Sequence, residues 1–389
     1  MNENNNLKIY ISCTPGFEPL LLKECASLGI RPADEKTPAA KAQPVQSGEE
    51  KGGFEFTGSL DQIMASNLHL RTASRVIVRL GEFTAVSFAE FRKKAARLNW
   101  DTFLKPGQQV EVKVTCHKSK LYHSDAVAER VLGAIEDHFK QPAGKKTDEK
   151  EKQIVLVRLV NDVCTISIDS SGELLHRRGY RQAVAKAPLR ETLAAGLLLS
   201  TGWDGTTPFV DPFCGSGTLP IEAALIARHV APGINRFYAF EKWPIFEADK
   251  FKTLVEDARK AILPTAPALY GSDRDQGAIE MASANAARTG VLTDIRFACH
   301  AISDLPALAG LGLLVTNPPY GVRVTSNKDL RNLYASFGKL LREKYSGWQV
   351  GILCSEPPLI HALELGAPVS TLSILNGGIP VKFYQYKIS

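Results

Sequence analysis

The stretch F-V-D-P-F-C-G-S-G-T-L-P-I-E-A-A-L, residues 209–225, decides the fold. It reads as a short apolar strand, a tight glycine loop and the start of a helix. Gly215 and Gly217 allow positive φ and a close backbone approach to a ligand. The helix behind them offers N–H groups with no intrahelical partner. The loop lacks the Lys-Ser/Thr pair of a P-loop and is not a full G-x-G-x-x-G. Asp211, at the strand end, would repel a phosphate. It suits a ligand carrying an ammonium or sulfonium group, such as the methionine part of S-adenosylmethionine.

Outward from this loop, residue 210 and residues 269–272, 295–298, 313–316 and 350–354 form short apolar strand candidates. Helical patterns at 219–231, 277–289 and 330–344 separate them. This alternation predicts a doubly wound, mostly parallel sheet. Two alternating runs, 371–375 and 379–388, flank Asn376-Gly377-Gly378, a hairpin signal. An antiparallel hairpin therefore closes the parallel sheet.

The strand after the glycine loop ends G-S-D-R-D, residues 271–275. Asp273, directly at the strand end, is placed to accept hydrogen bonds from a ribose diol. Asp275 can do the same or cap the following helix. The long spacing between loop and strand implies an insertion around 232–260. Further on, V-T-N-P-P-Y-G, residues 315–321, follows another apolar strand. Consecutive prolines fix the backbone and remove donors, so the Asn317 side chain and the Pro318 carbonyl can converge as two acceptors, with Pro319 stiffening the turn. An aromatic amine is a poor nucleophile because its lone pair is delocalised. Two acceptors on its hydrogens favour a pyramidal nitrogen aimed at a methyl donor. Tyr320 can stack on a base turned out of its helix.

Other chemistries have less support. The seven cysteines are scattered and never paired as C-x-x-C, and the eight histidines show no metal spacing. No disulfide framework or metal is expected, and a reducing cytoplasm is the natural setting. Cys214 sits where the loop needs a small side chain and has no identifiable partner base. The polar start M-N-E-N-N-N lacks a signal-peptide pattern, and no apolar run is long enough to span a membrane. A net charge of +6 is compatible with a polyanionic partner.

The N-terminal half reads as α+β. Strands are expected at 7–12, 54–57, 73–80 and 109–115, helices at 18–28 and 125–139, and solvated loops at 31–53 and 140–152. Residues 154–160 and 163–169 form a hairpin turning at Asn161-Asp162. Arg71, Arg75, Lys118, Lys120, Arg177, Arg178 and Arg181 lie in segments that also carry His and Tyr, a pattern suited to phosphates and unpaired bases.

D-P-F-C-G-S-G-T, G-S-D-R-D and T-N-P-P-Y-G resemble the motifs of Rossmann-like adenosylmethionine-dependent amino-methyltransferases. Residues 171–195, S-G-E-L-L-H-R-R-G-Y-R-Q-A-V-A-K-A-P-L-R-E-T-L-A-A, resemble the entry segment of THUMP-domain guanine-N2 RNA methyltransferases, the bacterial 23S ribosomal RNA group and its relatives. L-H-L-R-T-A-S-R (68–75) and H-K-S-K-L-Y-H-S (117–124) resemble that group's ferredoxin-like and THUMP segments. The resemblance implies a ferredoxin-like region (1–70), a THUMP RNA-binding region (71–170) and a Rossmann-like methyltransferase domain (171–389). It implies that Pro188, Leu189 and Thr192 lie beside the methionine end of S-adenosylmethionine. Asp211, Cys214, Gly215, Ser216, Gly217 and Thr218 would lie beneath the cofactor, and Asp273 on its ribose. Asn317, Pro318, Pro319 and Tyr320 would handle the target base. One position departs from the pattern: Ala301 stands where an Asp usually contacts the adenine amine, and either Asp304 or a backbone group takes over. The implied activity is methylation of a guanine N2 in structured RNA, 23S ribosomal RNA first. Transfer-RNA guanine-N2 methylation, adenine-N6 methylation and a catalytically weak RNA-binding assembly factor are the alternatives.

Overall fold

The computed structural model describes residues 6–31, 52–141, 152–182, 189–308, 310–320 and 327–389. The chain forms two compact units, neither contiguous in sequence. One comprises Met1–Cys13, Leu21–Leu175 and Arg236–Glu256; the other comprises Thr14–Leu20, His176–Asn235 and Asp257–Ser389.

The first unit contains β1 (Leu7–Cys13), most of α1 (Glu18–Ser27), β2 (Gly53–Gly58), α2 (Leu60–His69), β3 (Ala73–Thr84), α3 (Phe88–Ala95), β4 (Val110–His117), α4 (Ser124–Phe139), β5 (Gln153–Val160) and β6 (Val163–Asp169). Its strands make one sheet in the order β2-β1-β3-β6-β5-β4, antiparallel throughout except for the parallel β4–β5 pair. The long β3 pairs with both β1 and β6, with a register shift between Arg79 and Gly81. The sheet is thus continuous across the 70/71 boundary expected from sequence. Asn161 and Asp162 adopt φ of +51° and +65°, as a two-residue hairpin turn requires. Ser59 and Gln62 make a reciprocal capping box that starts α2.

Residues 236–256 enter this unit from within the second half of the chain, which gives the expected insertion a definite role. Tyr238 Oη donates to the Asn67 carbonyl (3.1 Å) and the Phe240 N–H to the Ser170 carbonyl (3.1 Å). Trp243 Nε1 donates to Gln153 Oε1 at 2.9 Å, and its ring meets Phe103 edge-on with centroids 4.8 Å apart.

The second unit is built on α5 (Glu191–Ser200), β7 (Phe209–Asp211), α6 (Thr218–Ala227), β8 (Leu269–Asp273), α8 (Gln276–Thr289), β9 (Ile295–Cys299), β10 (Leu313–Thr316), α9 (Asn327–Lys344), β11 (Gln349–Cys354), α10 (Pro357–Ala362), β12 (Ser370–Asn376) and β13 (Ile379–Lys387); α7 (Ala248–Lys260) is divided between the units. The sheet order is β12-β13-β11-β10-β7-β8-β9. Strands β7 to β11 run parallel, and the β12–β13 hairpin closes the sheet antiparallel against β11. Its turn is Gly377-Gly378, with φ of +59° and +86°. Every residue of β7 and β10 is buried, as in parallel strands covered on both faces. The order of strands reverses between β7 and β10, and α/β sheets bind ligands outside the carboxyl ends at such a reversal.

Helices α2, α3, α5, α7 and α10 were not among the sequence expectations. For α5 the reason is physical: it is buried from Glu191 through Leu198, so it carries no polar stripe and no readable period. The loops expected at 31–53 and 140–152 lie almost wholly outside the described residues. Among the described residues, no helix is long and apolar enough to cross a membrane.

Candidate active site

The glycine loop connects β7 to α6. Gly217 takes φ +84°, and a Cβ there would lie 2.9 Å from Ala282 Cβ and 3.1 Å from its Cα. Only glycine lets the loop approach α8 this closely. The loop is fixed by its own backbone. Cys214 N–H donates to the Ser272 carbonyl (2.9 Å), and Gly217 N–H donates to the Cys214 carbonyl (2.8 Å). Gly215 N–H donates to Asp273 Oδ2 at 3.0 Å. Ser216 and Thr218 are buried. Cys214 is also buried, and burial pushes its thiol far above the ordinary range, which disfavours it as a nucleophile.

Asp211 ends β7 and is buried. Its Oδ1 accepts from Thr316 Oγ1 at 2.6 Å and from Phe213 N–H at 3.1 Å. Burial is the main force pushing its carboxyl up to about 7; those two bonds pull it down, and the neighbouring Asp273 carboxylate adds to the rise. The Thr316–Asp211 bond joins residues 105 apart in sequence. With the Gly215–Asp273 bond, it brings the glycine loop, the G-S-D-R-D strand end and the N-P-P-Y tetrapeptide together at the carboxyl end of the sheet. Asp273 Oδ1 also accepts from Asp275 N–H (3.1 Å), while Asp275 caps α8 through Gly277 N–H (2.8 Å). Asp275 therefore serves the helix. A carboxylate offers about four acceptor positions, so Asp273 keeps capacity for a diol.

Asn317 follows Thr316 directly. Its Oδ1 is buried and has no hydrogen-bond partner among the described residues. An acceptor left like this costs about 1–3 kcal/mol, which is tolerable where a ligand donor will complete it. Pro318 is buried and Pro319 exposed. The Pro319 carbonyl accepts from Tyr334 Oη at 3.3 Å, and that hydroxyl also contacts Cys354 Sγ at 3.7 Å. Tyr334, from α9, thus braces the tetrapeptide. Tyr320 is partly buried and packs against the core cluster that contains Tyr334 and Phe337.

Leu189 and Thr192 are buried at the start of α5, whereas Pro188 lies outside the described residues. Asp304 sits exposed in a turn after β9, and its Oδ1 accepts from Ser303 Oγ at 3.2 Å. A cavity of about 390 Å³ is lined by Pro15, Ser355 and residues of the closing hairpin including Lys382 and Tyr384. It shares no residue with the glycine loop or the tetrapeptide.

The expected RNA-facing cations divide. Lys118, Lys120 and Arg177 are exposed, and Arg71 is half-buried. The other three correct the sequence reading. Arg178 is buried, with its Nε on Glu222 Oε1 at 2.9 Å. Arg75 pairs with buried Asp169 and donates to the Gly172 carbonyl. Arg181 donates to Glu191 Oε2 (2.5 Å) and to the Leu189 carbonyl (3.0 Å). Each guanidinium is held by a buried carboxylate, because an ionised carboxylate is rarely buried without a partner. Glu222 did carry a signal: it is the one charge in the apolar run T-L-P-I-E-A-A-L-I-A.

A mostly parallel sheet with a glycine loop at its reversal point, an acidic second strand end and an N-P-P-Y turn defines a Rossmann-like methyltransferase domain. Residues 178–381 match the family described as RMKL-like, methyltransferase domain, and the chain belongs to that family. Residues 8–77 match the RlmL ferredoxin-like domain and 85–169 the THUMP domain. The chain is 35% identical to the ribosomal RNA large subunit methyltransferase K/L of Syntrophotalea carbinolica, over 98% of this chain and 54% of that protein. It spans about half the length of the curated relatives it matches. Among solved structures, SMU.472 complexed with S-adenosylhomocysteine has a TM-score of 0.87 at 28% identity, covering 99% of both chains. A predicted N6-adenine-specific DNA methylase from Listeria monocytogenes has a TM-score of 0.85 at 30% identity, covering 99% of this chain and 97% of that one.

Proposed function

We propose that this protein methylates the exocyclic N2 amine of a guanine in structured RNA, with 23S ribosomal RNA as substrate and S-adenosylmethionine as methyl donor. The observation that carries the reading is the buried Asn317 Oδ1, without a partner among the described residues, at the carboxyl end of the sheet that also holds the glycine loop. It is an acceptor fixed in advance for a donor that arrives with the substrate, as an aromatic amine does.

The donor set fits the cofactor. Asp211 is a buried carboxylate whose described bonds come only from uncharged groups, which favours a cationic neighbour. Asp273 keeps acceptor capacity suited to a ribose diol. Leu189, Thr192 and residues 214–218 would complete the cradle, with Pro188 and Asp304 as further contacts. The cofactor supplies a methyl group on a positively charged sulfur. The chain supplies alignment: Asn317 Oδ1 and the Pro318 carbonyl accept from the two amine hydrogens and turn the nitrogen lone pair outward. Thr316, bonded to Asp211, fixes the tetrapeptide relative to the loop. Tyr320 stacks on the base, and Lys118, Lys120, Arg71 and Arg177 contribute to phosphate neutralisation.

The K/L name of the curated relatives and the THUMP match support ribosomal RNA as partner. The division into a ferredoxin-like region, a THUMP region and a catalytic domain belongs to the same reading. Seven free thiols suit a reducing cytoplasm. Adenine-N6 methylation is the second reading, favoured by the description of the Listeria relative. Nucleoside mass spectrometry on ribosomal RNA from cells with and without the gene separates them. Loss of N2-methylguanosine supports the proposal, loss of N6-methyladenosine supports the second reading, and an unchanged profile overturns both.

A further inference from the structure

We infer that Asn285 is a positioning residue for the cofactor loop, locked in place by the H-R-R-G-Y-R segment. This rests on the reading of residues 214–218 as the adenosylmethionine cradle. Asn285 lies on α8 and is fully buried. Its Nδ2 donates to the Ser216 carbonyl at 3.0 Å. The N–H of the same peptide, on Gly217, donates to the Cys214 carbonyl at 2.8 Å. Both ends of the Ser216–Gly217 peptide are therefore fixed, one by the loop itself and one by a side chain from another element.

The orientation of the Asn285 amide is also determined. Arg288 NH1 donates to Asn285 Oδ1 at 2.7 Å and to the Tyr180 carbonyl at 3.2 Å. A guanidinium only donates, so the amide oxygen must face Arg288 and its nitrogen must face Ser216. Tyr180 in turn places its hydroxyl 3.1 Å from Glu222 Oε1, the oxygen that also takes Arg178 Nε at 2.9 Å. Glu222 stands on α6, the helix that the loop opens. The segment around Tyr180 thus grips the loop region twice, through α6 and through the Arg288–Asn285 relay. The contact Asn285 makes with the loop is to the Ser216 carbonyl, not to a loop N–H or a strand-end carboxylate. It acts through the Ser216 peptide, setting the loop before any ligand arrives.

The test is Asn285→Asp in the full-length protein, read by calorimetric titration with S-adenosylhomocysteine, thermal melting and steady-state kinetics on ribosomal RNA. The aspartate keeps the Arg288 contact as an ion pair and sets an acceptor oxygen, in place of the donor, against the Ser216 carbonyl. Expected are about tenfold weaker binding of S-adenosylhomocysteine and a matching rise in KM for the cofactor, with kcat at saturation close to wild type. Wild-type affinity in Asn285→Asp overturns the inference; so does a fall in melting temperature with unchanged affinity. If Asn285→Asp does not fold, Arg288→Met carries the test, because Arg288 is exposed. About threefold weaker binding is expected there, and unchanged binding overturns the inference. A wild-type protein that does not bind S-adenosylhomocysteine overturns the cofactor reading and this inference together, an outcome distinct from both.

Discussion

Asp169 and Asp211 each end a β-strand, one in each compact unit, and both are buried. Their surroundings differ. Asp169 has the Arg75 guanidinium beside it and accepts from Ser171 N–H (3.1 Å) and Gly172 N–H (2.9 Å). Burial still lifts its carboxyl to about 6, but Arg75 and those N–H groups pull against the rise. Asp211 accepts from a hydroxyl and one N–H, and its charged neighbour is another carboxylate, Asp273. A buried acid with its cation in place holds a fold together. A buried acid without one is costly to ionise until a cation comes.

The largest effect that can test this contrast is on stability. Arg75→Met should destabilise the protein by about 3–5 kcal/mol at pH 8, because it leaves Asp169 buried without its cation. Urea unfolding monitored by circular dichroism would measure it. The loss should shrink toward pH 5: without Arg75 the Asp169 pKa rises further, and the protonated acid needs no partner. A loss that does not vary with pH would place the cost in packing instead.

Asn317→Ala makes the opposite expectation at the other sheet. Its oxygen has no described partner to lose, so unfolding free energy should hold or rise, by up to about 1–3 kcal/mol. Turnover should fall about 100-fold or more, as for removal of one preorganised group at a reacting centre, with S-adenosylhomocysteine binding retained. Methyl transfer at the wild-type rate would remove Asn317 from the mechanism.

The smallest effect is also the most direct comparison. The folded-state pKa of Asp211 is raised from the usual carboxylate value to about 7. Its contribution to the stability of the unliganded protein is therefore fully present below about pH 4 and lost as pH rises through 7. Asp211→Asn should be at least as stable as wild type at pH 8, yet bind adenosylmethionine about tenfold more weakly, with less pH dependence between 6 and 8. Melting curves and titrations at the two pH values would show this. If Asp211→Asn is destabilised at pH 8, Asp211 is a structural acid like Asp169 and the contrast fails.

Much of the fold was readable because local chemistry and final structure agree. Gly377-Gly378 and Asn161-Asp162 are residue types that accept positive φ at little cost, and all four adopt it, so their hairpins can be placed from sequence. The strand runs at 269–272, 295–298 and 313–316 differ by at most one residue at an end from β8, β9 and β10. The insertion around 232–260 was legible as a spacing anomaly, but not its destination: Tyr238 and Trp243 find Asn67 and Gln153, remote partners that no local pattern encodes. Helix α5 was missed because burial on all sides from Glu191 through Leu198 removes the polar stripe that marks a helix.

Among the site residues, the sequence alone determined types that chemistry restricts: glycines where the backbone must come close, an acid at a strand end, an Asn before two prolines. It could not assign the arginines. Arg75, Arg178 and Arg181 look like surface cations in a basic protein, and all three are drawn inward by Asp169, Glu222 and Glu191. Whether a charge faces solvent or a buried acid depends on what packing brings within about 4 Å of it. That is set by strand order and helix placement across the whole chain, and only the tertiary structure decided it.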